Sequence, residues 1–173
     1  MTTRRPYTVL FLCTGNSARS IMAESSLNRW AGDRFRAFSA GSHPRGEVHP
    51  VALETLKRMN LKTDGLRSKS WDEFARPESS RLDFVFTVCD KAAGESCPIW
   101  PGQPMTAHWG VEDPAAFIGP PDSQLRVFQR IFMELDRRVR IFTSLRVEDI
   151  DRLALQTRLD EIGRTTLPST DAG

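Results

Sequence analysis

The stretch Tyr7-Thr-Val-Leu-Phe-Leu12-Cys13-Thr-Gly-Asn-Ser-Ala-Arg19-Ser20 decides how this chain is read. Its first six residues form a nearly continuous apolar run after a charged start, the pattern of a central strand covered on both faces. Cys13 to Ser17 are turn formers, and Ala18 to Trp30 predicts a helix with Ala18, Ile21, Met22 and Ser25 on one face. A strand feeding a tight loop and then a helix brings backbone N–H groups to one spot at the helix N-terminus, where they attract an anion. Thr14, Gly15, Asn16, Ser17, Ala18, Arg19 and Ser20 would line that cradle. Gly15 and Asn16 tolerate its unusual backbone angles. Arg19 offers a planar fork for two anion oxygens, and Ser20 is placed to donate to the sulfur of Cys13. The same field favours the Cys13 thiolate, the form that acts as nucleophile. A nucleotide loop of the Gly-x4-Gly-Lys-Ser/Thr kind is excluded, since no such string occurs.

Working outward, Arg34 to Ala40, Leu82 to Val88 and Met105 to Trp109 read as three further strands. Pro50 opens a helix carrying Leu53, Leu56 and Met59, and Cys89 to Pro104 reads largely as loop because of its glycines and prolines. From Asp122 a long amphipathic helix is expected, with Leu125, Phe128, Phe132, Leu135, Val139 and Phe142 on one stripe. Strands alternating with helices imply crossover connections. The expected fold is a single α/β domain, a central mostly parallel four-stranded sheet with helices on both faces.

Composition limits the class of function. The chain has 173 residues, 39% hydrophobic and 27% charged, and a formal net charge of +2, which gives no broad basic footprint for nucleic acid. No apolar run has the length of a membrane span or a signal-peptide core, so a cytoplasmic location is expected. In that reducing compartment the three cysteines, Cys13, Cys89 and Cys97, read as reactive or metal-binding groups rather than staples. From spacing alone, Cys89 and Cys97 are small hydrophobes, redox thiols, or zinc ligands with His108 and no evident fourth partner. His43 and His49 read as loop or cap residues.

Cys-x5-Arg-Ser near the N-terminus resembles the low-molecular-weight tyrosine phosphatase superfamily. The wording Cys13-Thr-Gly-Asn-Ser-x-Arg-Ser20, followed by Met22-Ala23-Glu24, is closer to its arsenate reductase branch, and so is His108-Trp-Gly-Val-Glu-Asp-Pro114. The resemblance covers about residues 7 to 145. It implies Cys13 as nucleophile, Arg19 as the clamp on the oxyanion, Asn16 and Ser20 as stabilisers of the loop and thiolate, and Asp113 as general acid. Pro114 independently holds Asp113 in an extended loop conformation. The resemblance also implies a disulfide relay in which Cys89 releases arsenite from the Cys13 adduct and Cys97 passes the disulfide to an external thiol reductant. Ala18 stands where the family carries an extra loop cysteine. Seven residues separate Cys89 from Cys97, a longer gap than in the thioredoxin-coupled members, so the donor is either thioredoxin or glutathione with glutaredoxin.

No tightly bound cofactor is expected, and no metal apart from a potassium site implied by the resemblance. Asn16, Glu24 and Ser39 match its oxygen ligands, and Lys69 replaces the fourth. The alternative activity is a phosphotyrosine or phosphomonoester phosphatase using Cys13, Arg19 and Asp113. After Pro114 the chain reads Ala-Ala-Phe117, which supplies a ring-binding wall weakly, so a small inorganic anion such as arsenate or phosphate suits it better. Residues 1–145 are assigned to the catalytic domain and 146–173 to a helical extension and disordered tail. In that extension Glu148, Asp149 and Asp151 precede Ile150, Leu153, Leu155, Leu159 and Ile162, with Gly163 as stop signal.

Overall fold

A computed structural model describes residues 5–95 and 98–165. Cys97 and the expected disordered tail from residue 166 onward therefore lie outside the described residues.

Four strands, β1 (Tyr7–Leu12), β2 (Phe35–Ala40), β3 (Phe84–Thr87) and β4 (Met105–His108), form one sheet in the order β2-β1-β3-β4. Every pairing is parallel, with Leu12 opposite Ala40 on one side and Thr87 on the other. Parallel neighbours need crossovers, and those are α1 (Arg19–Trp30) after β1, α2 (Pro50–Arg58) and α3 (Asp72–Ala75) after β2, and α4 (Asp90–Ala93) after β3. Pro50 stands in the first turn of α2 as expected, with His49 as its cap: the His49 ring Nδ1 accepts from the Val51 N–H at 3.1 Å.

The alternation of β1 sorts its apolar side chains onto two faces. Val9 and Phe11 join the main core with α1 and with α5 (Pro121–Ser144). On α5, Phe128, Phe132, Leu135, Val139 and Phe142 are buried as the sequence predicts, while Leu125 is half-buried and Ile131 joins the core. Each fully buried phenylalanine contributes about 1.5–3 kcal/mol of burial free energy. The second face carries Leu10, Leu12 and Val85 under Trp71, Trp100, Phe74 and the four-residue α3. Helices thus lie on both faces, but the second is covered mainly by loop side chains, because the polar, proline-bearing stretch before β3 supports only one helical turn. The stretch after Cys89, read as loop, holds the short helix α4.

Past a 3-10 turn at Val147–Asp149, the extension forms α6 (Arg152–Gly163), capped by the Asp151 carboxylate on the Ala154 N–H at 2.9 Å. Leu155, Leu159 and Ile162 enter the main core against β4, whereas Leu153 is 81% exposed and Ile150 packs at the rim. Among the described residues no helix is long and apolar enough to cross a membrane.

Candidate active site

β2 lies on one side of β1 and β3 on the other, so the chain reverses its direction of winding at the carboxyl end of β1. Ligands of open α/β sheets bind in the crevice at such a switch point. Cys13 is the residue that follows β1. A pocket of about 440 Å³ opens there, lined by the Cys13–Arg19 loop, Cys89, Lys91, His43, Arg45 and Asp113.

The loop is held from behind. Its carbonyls at Thr14, Gly15 and Ser17 accept from the backbone N–H groups of His43, Arg45 and His49 at 2.9, 3.0 and 2.8 Å. That turns the loop N–H groups toward the pocket, and the Gly15 N–H reaches the Cys13 sulfur. The partner segment approaches so closely that a Cβ on Gly41 would lie 2.5 Å from the Thr14 carbonyl oxygen, which accounts for glycine there. Asn16 takes the left-handed conformation (φ 44°) and is fully buried. Its side chain accepts from the Lys69 N–H at 2.9 Å and donates to the Ser20 hydroxyl at 2.8 Å. Ser20, placed by the sequence beside the Cys13 sulfur, is thus engaged by Asn16.

Arg19 and Asp113 come together across the pocket. The guanidinium donates to the Val111 carbonyl at 3.2 Å and stands 3.6 Å from the Asp113 carboxylate. The other Asp113 oxygen accepts from the Ala115 N–H at 3.0 Å and so caps the 3-10 turn Pro114–Ala116.

Cys89 follows β3 as Cys13 follows β1, and the two buried thiols meet in the pocket, each the largest influence on the other's ionisation. This contact reverses an expectation. The loop alone should favour the Cys13 thiolate, yet the Cys13 thiol is pushed above the usual thiol range, first by donating its proton to Cys89 and then by burial, against the pull of Arg19 and the Gly15 N–H. Cys89 is brought down to about 5, chiefly by that same hydrogen bond, helped by the Ala92 N–H and by Thr14. The pair shares one proton and titrates as a unit.

Behind the loop, the buried Lys69 ammonium stands 3.5 Å from the Ser39 hydroxyl and 3.8 Å from the Glu24 carboxylate, which itself accepts from Ser39 at 2.7 Å. Burial raises the Glu24 pKa and lowers that of Lys69. Among the described residues no three His, Cys, Asp or Glu side chains gather to hold a metal ion.

The model of the low molecular weight phosphotyrosine protein phosphatase family matches residues 8–153. The chain belongs to that family. Within it, similarity runs to arsenate reductases. That of Halalkalibacterium halodurans is 34% identical over 136 residues, 79% of this chain and 94% of its own, and that of Bacillus subtilis 33% identical over the same shares. Among solved structures, the thioredoxin-dependent arsenate reductase of Corynebacterium glutamicum is 28% identical with a TM-score of 0.63. The superposition covers 86% of this chain and 66% of that one.

Several residues of this family member's pocket carry no sequence signal. His43, Arg45 and Lys91 line the pocket from loops and a four-residue helix. Glu95 accepts from the Thr14 hydroxyl at 3.0 Å, from a stretch without periodicity. His108, weighed as a metal ligand, is bound at 2.8 Å both to Asp90 and to the Thr87 hydroxyl, and a Cβ on Gly110 would strike the His108–Asp90 pair. The His-Trp-Gly spelling thus has a packing reason.

Proposed function

We propose that this enzyme reduces arsenate to arsenite by a thiol relay. The observation that carries the reading is the second thiol. Hydrolysis of a phosphate ester on this loop needs one cysteine, whereas reduction of arsenate needs two electrons. Here Cys89 meets Cys13 in the pocket that also holds Arg19 and Asp113.

The Cys13 sulfur, relieved of its proton by the Cys13–Cys89 pair, attacks arsenic, and an arsenate oxygen leaves as water with the proton from Asp113. The loop N–H groups and Arg19 hold the remaining oxygens. Cys89 then passes the proton it took from Cys13 to the arsenic oxyanion and attacks the Cys13 sulfur, and the S–As bond breaks with its electron pair going to arsenic, which departs as arsenite. The Cys13–Cys89 disulfide that remains is opened by Cys97, which regenerates Cys13 and leaves a Cys89–Cys97 disulfide. An external dithiol of thioredoxin or glutaredoxin type reduces that bond. Asn16 and Ser20 keep the loop in shape. The Lys69 ammonium stands against Glu24 and Ser39, two of the three residues in which the resemblance implies a potassium site, and supplies a positive charge there.

The test is arsenite formation by wild type and Cys89→Ser, with thioredoxin and its reductase in one series and glutathione with glutaredoxin in the other. Turnover that collapses in Cys89→Ser supports the relay, and the active series identifies the donor. No arsenite in either series, with a phosphate ester hydrolysed equally by both proteins, replaces it with the phosphatase reading.

A further inference from the structure

The segment that carries Asp113 is anchored at its other end to α6, nearly all of which follows the residues matched by the family model. Trp109 is fully buried, with its ring stacked on Phe86 at a centroid distance of 3.9 Å, and its indole N–H donates to the Leu159 carbonyl at 3.0 Å. Gly163 packs so tightly that a Cβ there would overlap the His108 carbonyl oxygen. Arg138, a charged side chain only 3% exposed, donates to the carbonyls of Trp109 and Gly110 at 2.8 and 3.0 Å. The same guanidinium donates to the Thr165 carbonyl just beyond α6 at 3.0 Å, with Glu134 at 3.3 Å. A buried guanidinium that spends its donors on backbone carbonyls fixes main chain rather than side chains. Two residues further on, the Val111 carbonyl receives Arg19.

We propose that α6 is a positioning element for the reaction, with Trp109 and Arg138 as the positioning residues that set where Asp113 stands over the anion loop. The inference rests on the reading of Asp113 as proton donor. A donor displaced by a fraction of an ångström still leaves the anion loop whole, so the loss should fall on the chemical step and not on anion binding.

The experiment is single-turnover arsenite release from pre-reduced protein with no donor added, alongside inhibition by inorganic phosphate. Trp109→Phe removes the indole donor to α6 together with part of the ring packed on Phe86. Arg138→Lys keeps the charge and loses the fork, and serves if the tryptophan variant folds poorly. Asp113→Asn is expected to slow release about 100-fold or more. Each positioning variant is expected to slow it about tenfold while the phosphate inhibition constant stays within about twofold. Combined with Asp113→Asn, neither variant should cost anything further, because the donor being positioned is already gone. A full, additive loss in the Asp113→Asn background, or a phosphate constant that rises in step with the lost rate, overturns the proposal. If Asp113→Asn itself releases arsenite at the wild-type rate, the acid assignment fails first and the positioning role falls with it.

Discussion

Replacing Lys69 by methionine tests the electrostatics behind the anion loop. Lys69 and Glu24 are both largely buried, and their charged groups stand 3.8 Å apart. At an effective dielectric constant of about 20 that separation corresponds to about 4 kcal/mol of attraction. Taking away one partner strands the other charge, which costs about 3–5 kcal/mol in buried pairs. The Ser39 hydroxyl bonded to Glu24 moderates the loss toward the lower end, about 3 kcal/mol, or roughly 6–12 °C in melting temperature for a chain of this size. The sign with pH follows from Glu24. Its folded pKa is raised by burial, and Lys69 supplies the largest effect holding it down, so the variant raises it further. A carboxyl with a raised folded pKa contributes stability below its unfolded value and loses it as pH rises through the folded one. The deficit of Lys69→Met should therefore be full at alkaline pH and shrink as pH falls through the raised Glu24 pKa, where Glu24 takes up a proton. Urea melts of both proteins across that range measure it, and Glu24→Gln in the Lys69→Met background should recover most of the loss at neutral pH. A deficit that is independent of pH, or smaller than 1 kcal/mol throughout, would refute the reasoning.

Alkylation followed residue by residue against pH should show Cys89 ionising near 5 in wild type while Cys13 stays protected through neutral pH. In Cys13→Ser the Cys89 midpoint should move up, and in Cys89→Ser the Cys13 midpoint should move down, since each loses its largest influence; unchanged midpoints would sink the shared-proton account. The depressed Cys89 ionisation also contributes stability that is present above the usual thiol range and lost as pH falls through about 5, so acid melts of Cys89→Ser should lack that component. Gly41→Ala forces a Cβ against the Thr14 and Cys13 carbonyls, and should cost about 1–3 kcal/mol of stability and weaken phosphate binding, as read by melting and by competitive inhibition.

Much of this was legible in the residues because local and global signals agree. β1 and its loop carry an apolar run, turn formers and a Cys-x5-Arg spacing in one stretch, and α5 repeats its apolar stripe for about five turns. What escaped depends on tertiary contacts. α4 is only one turn long, and its N-cap is the Cys89 sulfur accepting the Ala92 N–H at 3.4 Å, a cap outside the usual Ser, Thr, Asp and Asn signals. Arg138 lies among Arg137 and Arg140 and reads as one more solvated charge; only the carbonyls around Trp109 and Thr165 bury it. The direction of the Cys13 shift needed the one fact a lone loop lacks, a second sulfur beside it that accepts its proton.

That second sulfur is where sheet register bears on the chemistry. Leu12 and Thr87 are partners across β1 and β3, so Cys13 and Cys89 leave adjacent parallel strands within one residue of each other. Neighbouring strands run about 4.8 Å apart, inside the Cα separation that a disulfide spans without backbone movement. A bond between Cys13 and Cys89 therefore asks little of the sheet. Turning Cys89 away from Cys13 toward a thiol eight residues later asks more: the Ala92 cap, the Asp90–His108 pair and the Thr14–Glu95 hydrogen bond all tie α4 and its following turn to the anion pocket. On the proposed relay, the first disulfide joins residues that leave neighbouring strands, and the second draws the Cys89 sulfur out of its contacts with the Ala92 N–H and the Thr14 hydroxyl, a cost that falls after arsenite has left rather than before arsenate is attacked.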